Sequence, residues 1–280
     1  MMAEREKAAL REQAIMLPIT SIYPFDVEVK LLRSVIAESS VMLDIGGNIG
    51  VYSAILEDLV GSKNLYIFEP LPYLYRDLKK RFENAHVFNL ALSDKEDKRK
   101  IRVPFIDGAR NDARATFNSH TELNQTGTDE IAVQLVPLDA FAKKTNFTSV
   151  GLIKIDVEGH ELAVLNGGVE TIRQFKPLIV IEIESRHHQY PVTDIFSKIE
   201  SLGYKGYYVD PAVFKLLDIA EFDSERDQNP MNLNSKDIFR YLNNFFFVHK
   251  AAADDFVSTS CEFLAREKIQ AEKSLIPKYQ

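Results

Sequence analysis

Short runs of apolar residues alternate with amphipathic stretches along the first part of the chain. The first run, from Val41 to Ile45, leads into a group of glycines and then a helical pattern that closes at Gly61. A second run, NLYIFEP, precedes the helical PYLYRDLKKRFENA, which has Pro72 in its first turn, and a third run is HVFNLAL. Apolar runs of this length are typical of strands that are buried on both faces. The alternation of strand and helix therefore predicts a parallel sheet with right-handed crossovers.

The alternation is interrupted after the third strand. KRKIRVPF and EIAVQLVPL are predicted to be two further strands, separated by a polar loop at residues 107–129. A loop of this length is uncommon in a compact domain unless it is functional, so we expect a lid or a binding loop. The alternation then resumes with helical DAFAKKT, strand LIKIDV, a helix from His160 to about Arg173, strand KPLIVIEIES, a helix from Thr193 to Leu202, and strands GYKGYYVD and NNFFFVHK.

About seven core strands in this order predict one α/β domain rather than two. We expect this domain at residues 41–250, with insertions at about 99–136 and 211–243. Residues 1–40 are expected to form an N-terminal helical segment packed on the core. Residues 251–280 are expected to form a C-terminal tail, also helical.

Composition and charge narrow the function classes. The 280 residues include 34 Lys and Arg against 41 Asp and Glu, a formal net charge of −7. An acidic chain lacks the basic face that binds a phosphate backbone, so we expect no nucleic-acid partner. The one cysteine, Cys261, cannot form an internal disulfide, which favours a reducing compartment. With no apolar leader and no apolar stretch near the roughly 20 residues that cross a bilayer, we expect a cytoplasmic protein without a transmembrane segment.

Polar residues follow the predicted strands, where ligands bind in a parallel α/β sheet. The first strand ends in DIGGNIG, which lacks a dinucleotide fingerprint because Asn48 and Val51 stand where that pattern needs glycine. No P-loop is present either. Glu69 ends the second strand, and a carboxylate there can accept both hydroxyls of a ribose. The loop therefore fits a nucleoside with a zwitterionic tail better than one with a pyrophosphate.

Several of these segments together resemble the FkbM-type methyltransferases, a family of class I S-adenosylmethionine-dependent enzymes. The similar segments are VMLDIGGNIGVYS, IFEPLP, NLALSD, and LIKIDVEGHELAVLNGG followed by KPLIVIEIE, within roughly residues 40–250. The resemblance implies a Rossmann-like, seven-stranded, mostly parallel sheet with helices on both faces and an antiparallel last strand. It also implies O-methylation of a hydroxyl on a sugar, glycan, polyketide or similar small molecule, with S-adenosyl-L-methionine as cofactor.

The resemblance further assigns residues to the cofactor. Asp44, Gly46 and Gly50 would form the pocket for its methionine end, Glu69 would bind the ribose, and Leu92 and Ser93 would flank the adenine. The complete predicted set is Asp44, Gly46, Gly47, Asn48, Gly50, Glu69, Pro70, Leu92, Ser93 and Asp156. Two alternatives stay open: the glycines could serve only tight helix–strand packing, and Glu69 could cap the next helix.

Methyl transfer to an unactivated hydroxyl needs positioning and a group that removes the proton. The candidates are Asp156, Glu158 and His160 after the fourth strand. Asp156 could instead pair with Lys154, Glu158 could hold its loop, and His160 could be a solvated surface residue. We predict no metal site, because His187 and its neighbour fit no established ligand spacing.

Two other functions remain compatible with such a sheet. One is a non-catalytic nucleotide-binding regulatory module, which would lack the acceptor cleft or the base. The other is an NAD-dependent oxidoreductase, which the broken glycine pattern opposes. The acceptor would be a small molecule or a glycan- or lipid-linked group, and the sequence does not indicate an oligomeric state.

Overall fold

The computed structural model describes residues 24–38, 40–232 and 241–274 of the chain. The helices in these ranges are α1 (Pro24–Val35), α2 (Val51–Val60), α3 (Pro72–Arg81), α4 (Leu138–Thr145), α5 (Glu161–Gly167), α6 (Val169–Phe175), α7 (Thr193–Glu200), α8 (Ser224–Asp227) and α9 (Ala253–Ser274). The strands are β1 (Met42–Ile45), β2 (Leu65–Phe68), β3 (His86–Phe88), β4 (Ala91–Ser93), β5 (Asp97–Ile106), β6 (Ala109–Arg110), β7 (Gln125–Pro137), β8 (Leu152–Ile155), β9 (Leu178–Glu182), β10 (Tyr204–Asp210), β11 (Lys215–Asp218) and β12 (Asn244–His249). Most of the helical segment predicted at the N-terminus lies outside the described residues.

The main sheet has the strand order β11-β10-β12-β9-β8-β1-β2-β3. Neighbours from β9 to β3 pair in parallel, whereas β12 runs antiparallel to both β9 and β10. The predicted mixed α/β fold with an antiparallel last strand is therefore confirmed. The predicted number of strands is wrong, because β11 adds an eighth strand at the edge. Its four residues lie in the polar segment at 211–243 and are too few to show a strand periodicity.

HVFNLAL does not form a single third strand. It is divided between β3 in the main sheet and β4 in a second sheet of order β4-β7-β5-β6. The chain leaves the main sheet at Asn89, whose side-chain amide donates to the carbonyls of Glu69 and Pro70 at 2.9 and 2.8 Å. The second sheet contains the predicted pair of strands, β5 and β7, and it lies beside the carboxyl ends of β1 and β2.

The predicted helix from His160 to Arg173 is two helices, α5 and α6. They meet at Gly168, where an added Cβ would lie 2.8 Å from a side-chain carbon of Leu138. One residue earlier, a Cβ on Gly167 would lie 1.8 Å from the carbonyl oxygen of Ser93. Glycine at these positions lets α5 approach β4 closely, which brings the loop before α5 next to Ser93.

Helices cover both faces of the main sheet. Adjacent residues of β8 show this, since Leu152 packs into the apolar cluster on one face and Ile153 into the cluster on the other. Both side chains are fully buried. On one face α1 and α9 are joined by an ion pair between Lys30 and Glu267 at 3.4 Å. Among the helices described, none has a stretch both long and apolar enough to cross a membrane.

Candidate functional site

The turn after β1 is held against β2 and β8. The backbone N–H groups of Gly46 and Gly47 both donate to the carbonyl of Phe68 at 3.0 Å. Gly46 has φ +83°, and a Cβ added there would lie 1.8 Å from the carbonyl oxygen of Asp156. No other residue fits this approach without moving β8. The turn therefore exposes main chain, rather than side chains, at the carboxyl end of the sheet.

Glu69 connects the end of β2 to this turn. Its Oε2 accepts from the backbone N–H of Asn48, and its Oε1 accepts from that of Leu71, both at 2.8 Å. Burial raises the pKa of Glu69 to about 7, although the two hydrogen bonds favour its ionised form. A carboxylate has about four acceptor positions, so both oxygens can still accept from a ligand. The bond to Leu71 also fits the alternative in which Glu69 caps the start of α3.

A cavity of about 430 Å³ lies along the carboxyl ends of β2, β1, β8 and β9. Six residues of the predicted cofactor set line it, namely Gly46, Asn48, Glu69, Pro70, Leu92 and Asp156. Asp44 and Gly47 line an adjoining cavity of about 640 Å³, which shares Gly46, Asn48 and Asp156 with the first. Eight of the ten residues in the sequence-based set therefore line two adjoining cavities.

Two residues of the predicted cofactor set line neither cavity. A Cβ on Gly50 would lie 2.6 Å from the ring of Phe82 and 2.8 Å from a methyl of Leu78, so packing accounts for this glycine. Ser93 is buried, and its hydroxyl lies 2.9 Å from Nε2 of His160. Direct contact of Gly50 or Ser93 with a ligand stays a prediction.

Asp44 is almost fully buried. Its Oδ2 accepts a short hydrogen bond from the hydroxyl of Ser53. Burial raises the pKa of Asp44 to about 6, against the opposing effects of Ser53 and Lys154. The side chain is therefore fixed at the base of the turn, beside the second cavity.

His160 lines the first cavity and packs against the second sheet. Its ring lies 4.8 Å from the ring of Phe117, between centroids. Burial lowers the pKa of His160, so the ring is neutral at pH 7. The residue is half-buried and hydrogen-bonded, which does not fit a solvated surface histidine. Its hydrogen bond to Ser93 directs it towards β4 instead. This strand contains Leu92 and Ser93, which are predicted to flank the adenine.

Carboxylates converge at the ends of β8 and β9. Asp156, Glu158 and Glu182 each have an oxygen within 4.8 Å of the others. Burial raises the pKa values of Glu158 and Glu182, and the negative charge of Asp156 raises them further. Nζ of the buried Lys154 lies 3.7 Å from Oδ2 of Asp156, so this aspartate both pairs with Lys154 and lines the cavities. Three carboxyl groups and the buried Lys154 thus meet in one cleft.

Glu158 and Glu161 hold the loop between β8 and α5 in different ways. Glu158 has φ +49°, and its carbonyl accepts from the hydroxyl of Thr116 at 2.6 Å. The side chain of Glu158 lines the cavity. Glu161 instead accepts from the backbone N–H of Gly159 at 2.9 Å and is buried. Of the two, only Glu158 has its side chain on the cavity wall.

Sequence reasoning missed several residues of the cavity wall. Arg114 comes from the loop at 107–129, and its Nη1 lies 3.9 Å from Oε1 of Glu184. Tyr241 follows the segment at 211–232 and donates to Oε2 of Glu184 at 2.8 Å. Asn243 donates to Oε1 of Glu182 at 2.7 Å. No motif marks these residues. The available signal was their position in the two predicted insertions, at about 99–136 and 211–243.

The comparisons with known proteins decide the family. The family model of the methyltransferase FkbM domain matches residues 44–205, more than half of the chain. The chain belongs to the FkbM methyltransferase family. The predicted family is thus confirmed. The match begins at Asp44 in β1 and ends in β10, so Tyr241 and Asn243 lie outside it.

Individual relatives of this FkbM domain are distant. Hexuronic acid methyltransferase AglP of Haloferax volcanii is 24% identical over 170 residues, which are 61% of this chain and 66% of that protein. The solved methyltransferase FkbM of Methylobacillus flagellatus KT is 18% identical, with a TM-score of 0.44, over 75% of this chain and 44% of that one. The precorrin-6y C5,15-methyltransferase of Geobacter metallireducens GS-15 is 14% identical, with a TM-score of 0.38, over 66% of this chain and 72% of that one. The chain therefore spans slightly less than two thirds of the curated relative.

Proposed function

We propose that this FkbM domain is an S-adenosyl-L-methionine-dependent O-methyltransferase. The observation that carries the proposal is Glu69, a buried carboxylate on the cavity wall that is held by the glycine turn beside it. A second argument is that Gly46 and Asn48 of this turn line the same cavity. These residues fit a nucleoside ligand whose ribose hydroxyls donate to Glu69.

Different residues of the chain would bind different parts of the cofactor. Glu69 would accept the ribose hydroxyls, and Gly46 and Asn48 would let the ligand approach main chain. Leu92 and His160 would contact the adenine, with Ser93 holding His160 in place. Asp44, at the base of the second cavity, would bind the methionine end. When bound, the cofactor supplies an electrophilic methyl group on a sulfonium.

Asp156 is the residue best placed to accept the proton of the acceptor hydroxyl. It lines both cavities and therefore lies where the two adjoin. Nζ of Lys154 lies 3.7 Å from its Oδ2. Glu182 and Glu158, whose pKa values burial raises, can hold the proton nearby. General base catalysis of this kind contributes roughly 10²–10⁴-fold to a rate.

The cavity also indicates a class of acceptor. Carboxylates at the ends of β8 and β9 can accept hydrogen bonds from several hydroxyls, and Tyr241 and Asn243 add further polar groups. This favours a polyhydroxylated acceptor such as a sugar or glycan. The name of AglP, a hexuronic acid methyltransferase, supports the same class. Arg114 on the wall could pair with the carboxylate of an acidic sugar.

Calorimetry with S-adenosylhomocysteine, the demethylated product, tests cofactor binding. We expect wild type to bind it and Glu69→Ala to bind it at least tenfold more weakly, because hydrogen bonds to a charged group contribute about 1.5–3 kcal/mol each. Glu83→Ala, at an exposed glutamate, is the control and should bind as wild type does. Equal affinity of Glu69→Ala and wild type would overturn the ribose assignment.

Transfer of a labelled methyl group to a pool of sugars and glycans tests catalysis. We expect Asp156→Asn to retain cofactor binding within a few-fold and to lose roughly 10²–10⁴-fold in kcat. If wild type binds the cofactor product but transfers no methyl group, the non-catalytic binding module is the correct function. Binding of NAD in place of the product would favour the oxidoreductase.

A further inference from the structure

A second group of potential ligands lies outside the proposed methyl-transfer cavity. His120, Glu122 and His187 each offer one ligand atom, and these three atoms all lie within 4.8 Å of one another. His120 and Glu122 belong to the loop at 107–129, and His187 follows β9. The loop and the end of the sheet meet at these three residues, which we call the His-Glu-His cluster.

The spacing within the His-Glu-His cluster suits a small cation. Nε2 of His120 lies 2.9 Å, and Nε2 of His187 lies 3.8 Å, from the same atom, Oε1 of Glu122. Ligand atoms about 2.1 Å from a tetrahedral zinc ion lie about 3.4 Å apart. The two observed distances fall on either side of this value. The rings of His120 and His187 are stacked with centroids 5.1 Å apart, and both residues line one cavity.

His187 carries the observation that points to a ligand. Its side chain is only 3% exposed, and its Nε2 has no hydrogen-bond partner. Oε2 of Glu158 lies 3.2 Å from this nitrogen and also has no hydrogen-bond partner. Two buried polar atoms that face each other without a bond are costly unless something else binds them. A cation bound by His120, Glu122 and His187 would satisfy Nε2 of His187.

Outer contacts hold the carboxylate of Glu122 and the main chain at His187. Nη1 of Arg186 donates to both oxygens of Glu122, at 2.9 and 2.7 Å, and leaves Oε1 facing the two histidines. The side-chain amide of Asn118 donates to the carbonyl of His187 at 2.8 Å. Ligating carboxylates are usually fixed by hydrogen bonds such as those of Arg186 with Glu122. A cavity of about 360 Å³, lined by His120, Arg186 and His187, gives a cation access from solvent.

We propose that His120, Glu122 and His187 bind a divalent transition-metal cation of the zinc class. Two imidazoles with carboxylate suit such ions, whereas Mg²⁺ and Ca²⁺ prefer sites built from oxygen alone. The cation ties the loop at 107–129 to the segment after β9. Glu158, which lies 3.2 Å from Nε2 of His187, also lines the acceptor cavity, so the metal site borders one wall of that cavity. This departs from the sequence-based expectation of no metal, since the ligands come from two distant segments with no recognisable spacing.

Metal binding by the full chain, without cofactor or acceptor, tests this proposal independently of methyl transfer. The chain, purified without an affinity tag and stripped with a chelator, is titrated with Zn²⁺ in competition with a chromophoric chelator, and with Co²⁺ while visible absorption is recorded. The variants are His120→Ala, Glu122→Gln and His187→Ala. His86→Ala, at an exposed histidine on β3, is the matched control. Circular dichroism of each variant reports folding.

We expect one Zn²⁺ per chain, a Co²⁺ spectrum of low coordination number, and at least tenfold weaker binding in each of the three variants. The control should bind as wild type does. His120 is less buried than His187, so His120→Ala keeps the test decisive even if His187→Ala does not fold. Absence of stoichiometric binding to wild type, or unchanged affinity in folded His120→Ala, would overturn the proposal.

Discussion

The backbone N–H of Asn48 donates to Oε2 of Glu69 at 2.8 Å. This bond joins the turn after β1 to the end of β2, which are neighbours in the sheet but separated by α2 in the chain. The carboxylate thus has two tasks: it orders the turn through Asn48, and it presents acceptor positions to the cavity. The protonation state of Glu69 should therefore control ligand binding directly.

The affinity for S-adenosylhomocysteine should depend on pH through Glu69. Burial raises the pKa of Glu69 to about 7, and only the ionised form accepts from both ribose hydroxyls at full strength. We expect the Kd to fall as pH rises through 7, by at most about tenfold per pH unit on the acidic side. Calorimetry across about pH 6 to 8 measures this. Glu69→Gln should bind more weakly and with a smaller slope, and an unchanged slope in that variant would contradict the assignment.

His160 should act on cofactor binding rather than on proton transfer. Its Nε2 lies 2.9 Å from the hydroxyl of Ser93, and the ring lines the first cavity. A neutral hydrogen bond contributes about 0.5–1.5 kcal/mol, so His160→Ala should raise the cofactor KM by roughly 3–10-fold with little change in kcat.

Ser93→Ala provides the matched test of that contact. If His160 acts through Ser93, each single variant should weaken binding similarly, and the double variant should weaken it little further. Steady-state kinetics at saturating acceptor separates KM from kcat. A loss of about a hundredfold in kcat for His160→Ala alone would instead make His160 a catalytic base.

Apolar periodicity predicted the order of the central strands because strands buried on both faces have continuous apolar runs. Periodicity failed to predict strands where a side-chain contact, rather than the hydrophobic pattern, determines the path of the chain. Asn89 turns the chain out of the main sheet by bonding to two carbonyls after β2, and β11 is too short to show a period. Contacts of this kind depend on residues that are distant in sequence, so local pattern does not reveal them.

The same distinction applies to the residues of the candidate site. Gly46, Asn48 and Glu69 follow strands directly, and their convergence could be predicted because parallel strands end at one edge. Arg114 and Tyr241 reach the cavity from insertions, and only the tertiary structure brings them there. His120 and His187 are brought together in the same way. Even among the glycines, sequence did not separate Gly46 at the cavity from Gly50, which packs on α3.

Gly46→Ala should destabilise the fold strongly. The residue has φ +83°, and the new Cβ would lie 1.8 Å from the carbonyl oxygen of Asp156, which is main chain directly after β8 and cannot rotate away. We expect a loss of about 3 kcal/mol or more in the free energy of unfolding, or roughly 10 °C in Tm.

Gly108→Ala is the matched control for this substitution. Gly108 has a similar φ of +80°, but an added Cβ would meet nothing within 4 Å. It should therefore cost only the left-handed backbone penalty of about 1–2 kcal/mol. Thermal melting followed by circular dichroism measures both variants. Equal shifts would show that backbone conformation, and not the approach of Asp156, requires glycine at position 46.

Glu28 on α1 should make the protein less stable as pH rises. Burial raises its pKa from 4.5 to about 8, despite the nearby charge of Lys154 and a hydrogen bond with Asn244. The folded state therefore binds a proton that the unfolded state releases, and stability falls between about pH 4.5 and 8, by at most about 1.4 kcal/mol per pH unit. Glu28→Gln removes this titration, whereas Asp44 and Glu69 titrate in both proteins and cancel in the difference. In urea unfolding across this range, the free energy of unfolding of Glu28→Gln should increase relative to that of wild type as pH rises. A difference that does not change with pH would contradict the shifted pKa of Glu28.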